Sequence, residues 1–159
     1  MADKSCRVLV VEDEYLLAFD FADVLTRLGV EVVGPVSTCQ DALAAIDSSS
    51  IDFAVIDVRL ATGDGYPVAD ELARRSIPFF FSTGYAPADR PDRFKNVQVW
   101  RKPYESADLV EAIWGLCPHL KPPFRNAETV PDAITLARSG AITGILYVAT
   151  LIASRWRRW

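Results

Sequence analysis

The sequence predicts an α/β domain, a doubly wound five-stranded parallel sheet with helices on both faces. Three observations lead there. Short apolar runs and amphipathic helical stretches alternate five times between residues 7 and 116, the pattern that packs helices against a parallel sheet. Two of the runs, Arg7-Val8-Leu9-Val10-Val11 and Ile51-Asp52-Phe53-Ala54-Val55-Ile56-Asp57, are nearly continuous in apolar residues, as strands covered on both faces are. Polar residues gather where the runs stop: Glu12 and Asp13, Asp57, Thr83 and Lys102 all fall at predicted strand ends. A parallel sheet carries its ligand groups along that carboxyl edge, where the chain reverses its winding.

The elements follow in order. After the first strand, residues 14–28 space Leu16, Leu17, Phe21, Val24, Leu25 and Leu28 at three- and four-residue intervals, and Gly29 stops the helix. A second strand over residues 30–36 is interrupted by Gly34-Pro35. Thr38 can cap the next helix, which runs through Ala42, Leu43 and Ile46 to the serines at 48–50. The third strand ends on Asp57, a loop over residues 58–65 follows, and the helix over residues 66–75 turns Val68, Ala69 and Leu72 inward. Pro78 can open the fourth strand, Phe79-Phe80-Phe81-Ser82-Thr83, because a proline is tolerated at a strand start. The prolines at 87 and 91 allow only a short helix after it. Val97-Gln98-Val99-Trp100 is the fifth strand, and residues 106–116 form the last helix.

With 159 residues, half of them hydrophobic, the chain suffices for one domain with a sizeable core. The expected division is a body over residues 1–120 and a linker with a basic, hydrophobic tail over 121–159. Charge divides the same way: the first part holds eleven Lys/Arg against nineteen Asp/Glu, the second six against two. An acidic body is a poor match for a phosphate backbone, so direct nucleic-acid binding is not expected. Cys6, Cys39 and Cys117 are far apart, odd in number and without a C-x-x-C pair, and read as small buried hydrophobes in a reducing cytoplasm. The N-terminal residues lack the apolar region of an export signal. His119, the single histidine, lies beside Pro118 and reads as a loop residue rather than a base.

The carboxyl-edge residues suggest chemistry. Glu12, Asp13 and Asp57 make a hard-cation site of the kind that Mg²⁺ occupies while keeping several waters. An acid, a cation site, a hydroxyl and an ammonium on one edge suit phosphoryl transfer to a carboxylate, where catalysis is alignment and charge neutralisation. Asp57 would be the nucleophile, Glu12 and Asp13 would hold Mg²⁺ together with the Arg59 backbone carbonyl, Lys102 would pair with one phosphoryl oxygen, and Thr83 would donate to another. Pro103 forces Lys102 extended, which fixes where its side chain starts.

Val11-Glu12-Asp13-Glu14 after a strand, Asp57 followed by Asp64-Gly65, then Ser82-Thr83-Gly84 and Lys102-Pro103, in that order, closely resemble the receiver domain of two-component response regulators. The resemblance covers residues 5–118 and implies a flavodoxin-like sheet of order 2-1-3-4-5. It implies further that a histidine kinase or histidine phosphotransfer protein donates a phosphoryl group to Asp57 with Mg²⁺, and that the altered face then meets a downstream protein. Two positions depart from the usual pattern. Typical receivers carry Tyr or Phe where Val99 stands, and many carry proline where Ala61 stands. The run from Pro78 to Tyr85 instead resembles the Phe-Ala-Thr-Gly-x-Tyr-type subgroup, often single-domain. Two roles for Tyr85 stay open: with the Gly84 loop it would take over the signalling movement, or it would only cover the sheet edge.

The tail carries no resemblance to a DNA-binding or enzymatic output domain. Residues 139–154 are uncharged but shorter than the roughly 20 residues of a spanning helix. Arg155-Trp156-Arg157-Arg158-Trp159 has the composition of an interfacial anchor. A polar stripe through Asp132, Thr135, Ser139, Thr143, Tyr147, Thr150, Ser154 and Arg158 gives any helix there a wet side. Peripheral membrane contact through residues 133–159, docking on a partner, spanning, and an extension without a partner all stay open. The expected function is a phosphorylation-controlled signalling module, or a phosphate sink, and not an enzyme. Two rivals are a Mg²⁺-dependent phosphohydrolase, which would carry a second acid where Arg59 stands, and a vestigial receiver kept as a structural or membrane-associated adaptor.

Overall fold

Side-chain alternation along the strands sorts the core into two layers, one on each face of the sheet. In the computed structural model, which describes residues 5–84, 90–102, 112–113 and 115–117, the order of elements is β1 (Arg7–Val11), α1 (Tyr15–Arg27), β2 (Glu31–Val36), α2 (Cys39–Ser48), β3 (Phe53–Asp57), β4 (Arg59–Leu60), β5 (Gly63–Asp64), α3 (Tyr66–Arg74), β6 (Phe79–Thr83), a 3₁₀ turn (Asp92–Phe94) and β7 (Val99–Arg101). The main sheet is parallel with the order β2-β1-β3-β6-β7, which is the expected 2-1-3-4-5 when its strands are counted alone. Val8 and Val10 of β1, Phe53 and Val55 of β3 and Phe80 of β6 face one layer with Phe21, Leu25 and Leu28 from α1 and Ile113 from the last helix. Leu9, Val11, Ala54, Ile56 and Phe81 face the other with Ala42 and Ile46 of α2 and Val68, Ala69 and Leu72 of α3. Burial on both faces explains why β1 and β3 read as continuous apolar runs.

The helix ends follow local chemistry. α1 closes in a Schellman arrangement, with the Gly29 amide donating to the Thr26 carbonyl and the Val30 amide to the Leu25 carbonyl, 3.0 and 3.1 Å. Gly29 takes φ +82°, a left-handed value that a glycine adopts without penalty. At the start of α2, Thr38 Oγ1 accepts from the Asp41 amide at 3.1 Å, the expected cap.

Four expectations are corrected. Leu16, placed with the core stripe by its spacing, is 70% exposed, whereas Ala18, Phe21 and Leu25 are buried. At roughly 100° per residue Leu16 lies about 140° round the helix from Phe21, so the pair cannot share one face. β2 carries an irregularity between its pairings Leu9↔Val33 and Val11↔Val36, so Gly34-Pro35 displaces the register without ending the strand. A two-residue antiparallel ribbon, β4 with β5, stands where a plain loop follows Asp57 in the sequence reading. Cys6 and Cys117, read as separate thiols, are joined in a disulfide with a Cα–Cα separation of 6.0 Å, and Cys39 alone is free. The two half-cystines are 111 residues apart and meet only because the last helix packs over the start of β1, which spacing along the chain does not reveal.

The fifth strand is shorter than expected and shifted to Val99–Arg101, and the region after Gly84 holds only the 3₁₀ turn among the described residues. Of the last helix, residues 112–113 and 115–116 are described. Tyr85, Pro103, His119 and the tail over 121–159 lie outside the described residues. Among the described residues no helix is long and apolar enough to cross a membrane.

Candidate functional site

Parallel pairing sets the site. β3 lies between β1 and β6, with Val11 opposite Ile56 and Asp57 opposite Ser82, and β6 pairs Thr83 with Arg101 of β7. Glu12 follows β1 directly and Lys102 follows β7, so Glu12, Asp13, Asp57, Thr83 and Lys102 all reach the same carboxyl edge. All five were singled out in the sequence, and the fold brings them to one place.

Glu12, Asp57 and Thr83 are buried and Asp13 is half-buried. Lys102 Nζ donates to Asp57 Oδ2 at 2.5 Å and pairs with Glu12 Oε2 as well, so one ammonium bridges two carboxylates. The remaining oxygens are held by backbone amides. Asp57 Oδ1 accepts from the Arg59 amide at 2.9 Å, Asp13 Oδ2 from the Ala61 amide at 2.7 Å, and Glu12 Oε1 from the Glu14 amide at 3.2 Å. The β4–β5 ribbon thereby fixes Asp57 and Asp13 from one side. The backbone of Arg59, at the start of that ribbon, runs beside Asp57, while its side chain is exposed.

Burial pushes the Glu12 carboxyl upward, outweighing the pull of the Lys102 ammonium, and the charge of Asp57 adds to the rise. For Lys102 burial acts against the ammonium, but hydrogen bonds to Asp57 and Glu12 outweigh it and lift the group above the ordinary lysine range. The lysine is therefore firmly charged at neutral pH.

Two features carry reasons that the sequence reading lacked. Gly65 is buried against the end of β3, where a Cβ would overlap the Asp57 carbonyl and the Ile56 side chain. Glycine at this place is a condition for α3 to start so close to Asp57, and the Asp64-Gly65 pair noted in the sequence was its signal. Ser82 Oγ is buried and has no hydrogen-bond partner among the described residues. A serine between Phe81 and Thr83 carried no sequence signal for that. Val99 is half-buried against the α2–α3 layer, in register with Phe81.

The donor set fits a hard divalent cation. One oxygen from each of Glu12, Asp13 and Asp57 lies within 4.8 Å of the others. Octahedral Mg²⁺ at about 2.1 Å spaces its oxygens by roughly 3 to 4.2 Å, so small side-chain adjustments would complete three corners of its shell. All three ligands are carboxylates, with no sulfur or imidazole, which is the chemistry such an ion selects.

Geometry of this kind on this sheet defines a class of signalling domain, and the family profile agrees: the response regulator receiver domain matches residues 8–113. The chain belongs to the response regulator receiver family. Among relatives, it is 32% identical over 111 residues to the transcriptional regulatory protein PdtaR of Mycobacterium tuberculosis, a match covering 67% of this chain and 54% of that protein. The solution structure of SdrG from Sphingomonas melonis Fr1 superposes with a TM-score of 0.62 at 38% identity, covering 73% of this chain and 98% of SdrG. A BeF3-activated conformation of SdrG from Pseudomonas melonis Fr1 gives 0.58 at the same identity over 67% of this chain and 92% of that one. The chain spans about half the length of the curated relatives it matches.

Proposed function

We propose that the protein is a phosphoacceptor response regulator that takes a phosphoryl group onto Asp57 from a histidine kinase or histidine phosphotransfer protein. The observation that carries this reading is the Lys102 ammonium bridging Asp57 and Glu12 at the carboxyl edge of β3. In the transfer an Asp57 carboxylate oxygen attacks phosphorus in line, the P–N bond to the donor imidazole breaks, and the imidazole leaves with a proton from solvent. Lys102 exchanges its carboxylate partner for a phosphoryl oxygen, and the Thr83 hydroxyl donates to a second. Glu12, Asp13, Asp57 and the Arg59 carbonyl would hold Mg²⁺, which when bound neutralises charge on the transferring oxygens. The amides of Arg59 and Ala61 keep Asp57 and Asp13 aligned.

The output is protein–protein contact with a downstream partner, or drainage of phosphoryl groups from a shared kinase, without direct nucleic-acid binding and without enzymatic turnover. SdrG, a relative captured in a BeF3-activated conformation, supports reading the pocket as one that takes a phosphoryl mimic. The acid-free position two residues after Asp57, held by Arg59, supports an acceptor over a phosphohydrolase. With Val99 in place of an aromatic residue, Tyr85 and the Gly84 loop carry the movement to the surface. The site would act in the cytoplasm.

The test is phosphorylation by a small-molecule phosphodonor with and without Mg²⁺, read as retardation on a phosphate-affinity gel. A Mg²⁺-dependent shift in the wild type that Asp57→Ala loses supports the reading. The absence of a shift while a control receiver reacts would overturn it and leave the adaptor.

A further inference from the structure

The first turns of α1 expose a patch that the phosphoacceptor reading does not use. Tyr15, Leu16 and Phe19 are 77%, 70% and 60% exposed, and among the described residues they are the exposed large hydrophobics. Tyr15 and Phe19 stack, with ring centroids 6.4 Å apart and planes 23° apart. Single exposed apolar side chains are ordinary, but three on adjoining turns form one patch, which marks a contact surface. Exposed acids border it, namely Glu14 and Asp20, while Asp23, a turn further on, is paired with Arg27.

We infer that this face is covered in the full chain by its own residues 139–159. Three observations select that occupant. The segment offers the matching composition, a long uncharged run followed by two tryptophans and three arginines, and the arginines complement the acids around the patch. The described chain ends at Cys117, which is bonded to Cys6 and lies in the same layer as Phe21, Leu25 and Leu28 of α1. Cys117, the last described residue before the segment, therefore lies on the α1 side of the sheet. Reach is no obstacle: α1 rises about 14 Å between Phe19 and Leu28, whereas the intervening residues 118–138 can span up to roughly 70 Å. A tethered segment also meets the patch at an effective concentration on the order of millimolar, which a free partner seldom matches.

The inference does not rest on phosphorylation of Asp57, and its test can be made on unphosphorylated protein. A photoreactive benzoylphenylalanine is placed at Leu16 of the full chain, which is irradiated at low concentration, digested and mapped by mass spectrometry. The expected product is an intramolecular crosslink to a peptide within residues 139–159, lost when Arg155, Arg157 and Arg158 are all changed to Glu. A crosslink to a second copy that grows with concentration, transfer of the probe to vesicles containing phosphatidylserine, or no crosslink to the tail would each overturn it. A second measurement guards against a disturbed probe site: trypsin cleavage at Arg155 should be on the order of tenfold faster in Phe19→Glu than in the wild type, as protection by a docked segment is lost. Equal rates would overturn the inference.

Discussion

Replacing Lys102 by Met tests whether the ammonium is what balances the acidic cluster. Met keeps an apolar stem of similar length and removes the charge together with the hydrogen bond donated to Asp57. In the wild type the Lys102 side chain is 12% exposed, and it pairs with Glu12 and Asp57 side chains that are 6% and 9% exposed. Breaking a buried pair by removing one partner costs about 3 to 5 kcal/mol, because the other charge is left uncompensated. The lower end applies here, since Asp13 is half-buried and water reaches the rim of the site. With an unfolding entropy of about 2.1 cal/mol/K per residue over a body of roughly 110 residues, 3 kcal/mol corresponds to a fall in Tm of about 13 °C. Mg²⁺ should return part of this, because a ligand that binds only the folded state stabilises it, by about 2.7 kcal/mol at a hundredfold excess over its Kd. The assay is thermal unfolding by circular dichroism, with EDTA and with Mg²⁺. A variant that melts with the wild type in EDTA would refute the claim that Lys102 neutralises the cluster, and a variant that Mg²⁺ fails to stabilise would count against the three carboxylates as a cation site.

Gly65→Ala should cost about 1 to 3 kcal/mol, since its Cβ would overlap the Asp57 carbonyl and the Ile56 side chain, and should slow modification of Asp57 as well. Urea unfolding and the phosphodonor assay read the two effects. Glu71 accepts from Arg74 and Arg75, and those hydrogen bonds hold its carboxyl down to about 2 from an ordinary 4.5. A depressed carboxyl stabilises the fold above its unfolded value and loses that contribution as pH falls through the folded one. The wild type should therefore be more stable than Glu71→Gln near neutrality, with the gap closing between pH 4.5 and about 2. Denaturant midpoints across that range decide it, and a gap that stays constant would contradict the linkage. Thiol titration in denaturant without reductant should find one reactive group, Cys39, rising to three after reduction; three at the outset would rule out the disulfide.

The site was more legible than the packing around it. Asp57, Glu12, Asp13, Thr83 and Lys102 could be placed together because each follows an apolar run, and parallel strands deliver all their carboxyl ends to one edge. The short features were not legible. β4 and β5 have two residues each, too few for any period, yet their ribbon supplies the amides that hold Asp57 and Asp13. Leu16 misled because it precedes Phe21 by five residues, off the three- and four-residue intervals that join Leu17, Phe21, Leu25 and Leu28. The partnership of Cys6 with Cys117 depends on where the last helix meets β1, a tertiary fact with no local signature. Gly65 was visible as part of a motif, but its reason, the approach of α3 to the end of β3, needed the backbone.

The central claim is that the aspartate at the end of β3 accepts the phosphoryl group, and the most direct measurement is to trap it. The wild type is treated with a phosphodonor in Mg²⁺ and reduced with borohydride, which converts an aspartyl phosphate to homoserine, and the digest is sequenced by mass spectrometry. The account predicts homoserine at position 57 and nowhere else, dependent on Mg²⁺. Homoserine in place of Asp13, reduction at Glu12, or no trapped residue under conditions where a control receiver is trapped would contradict it.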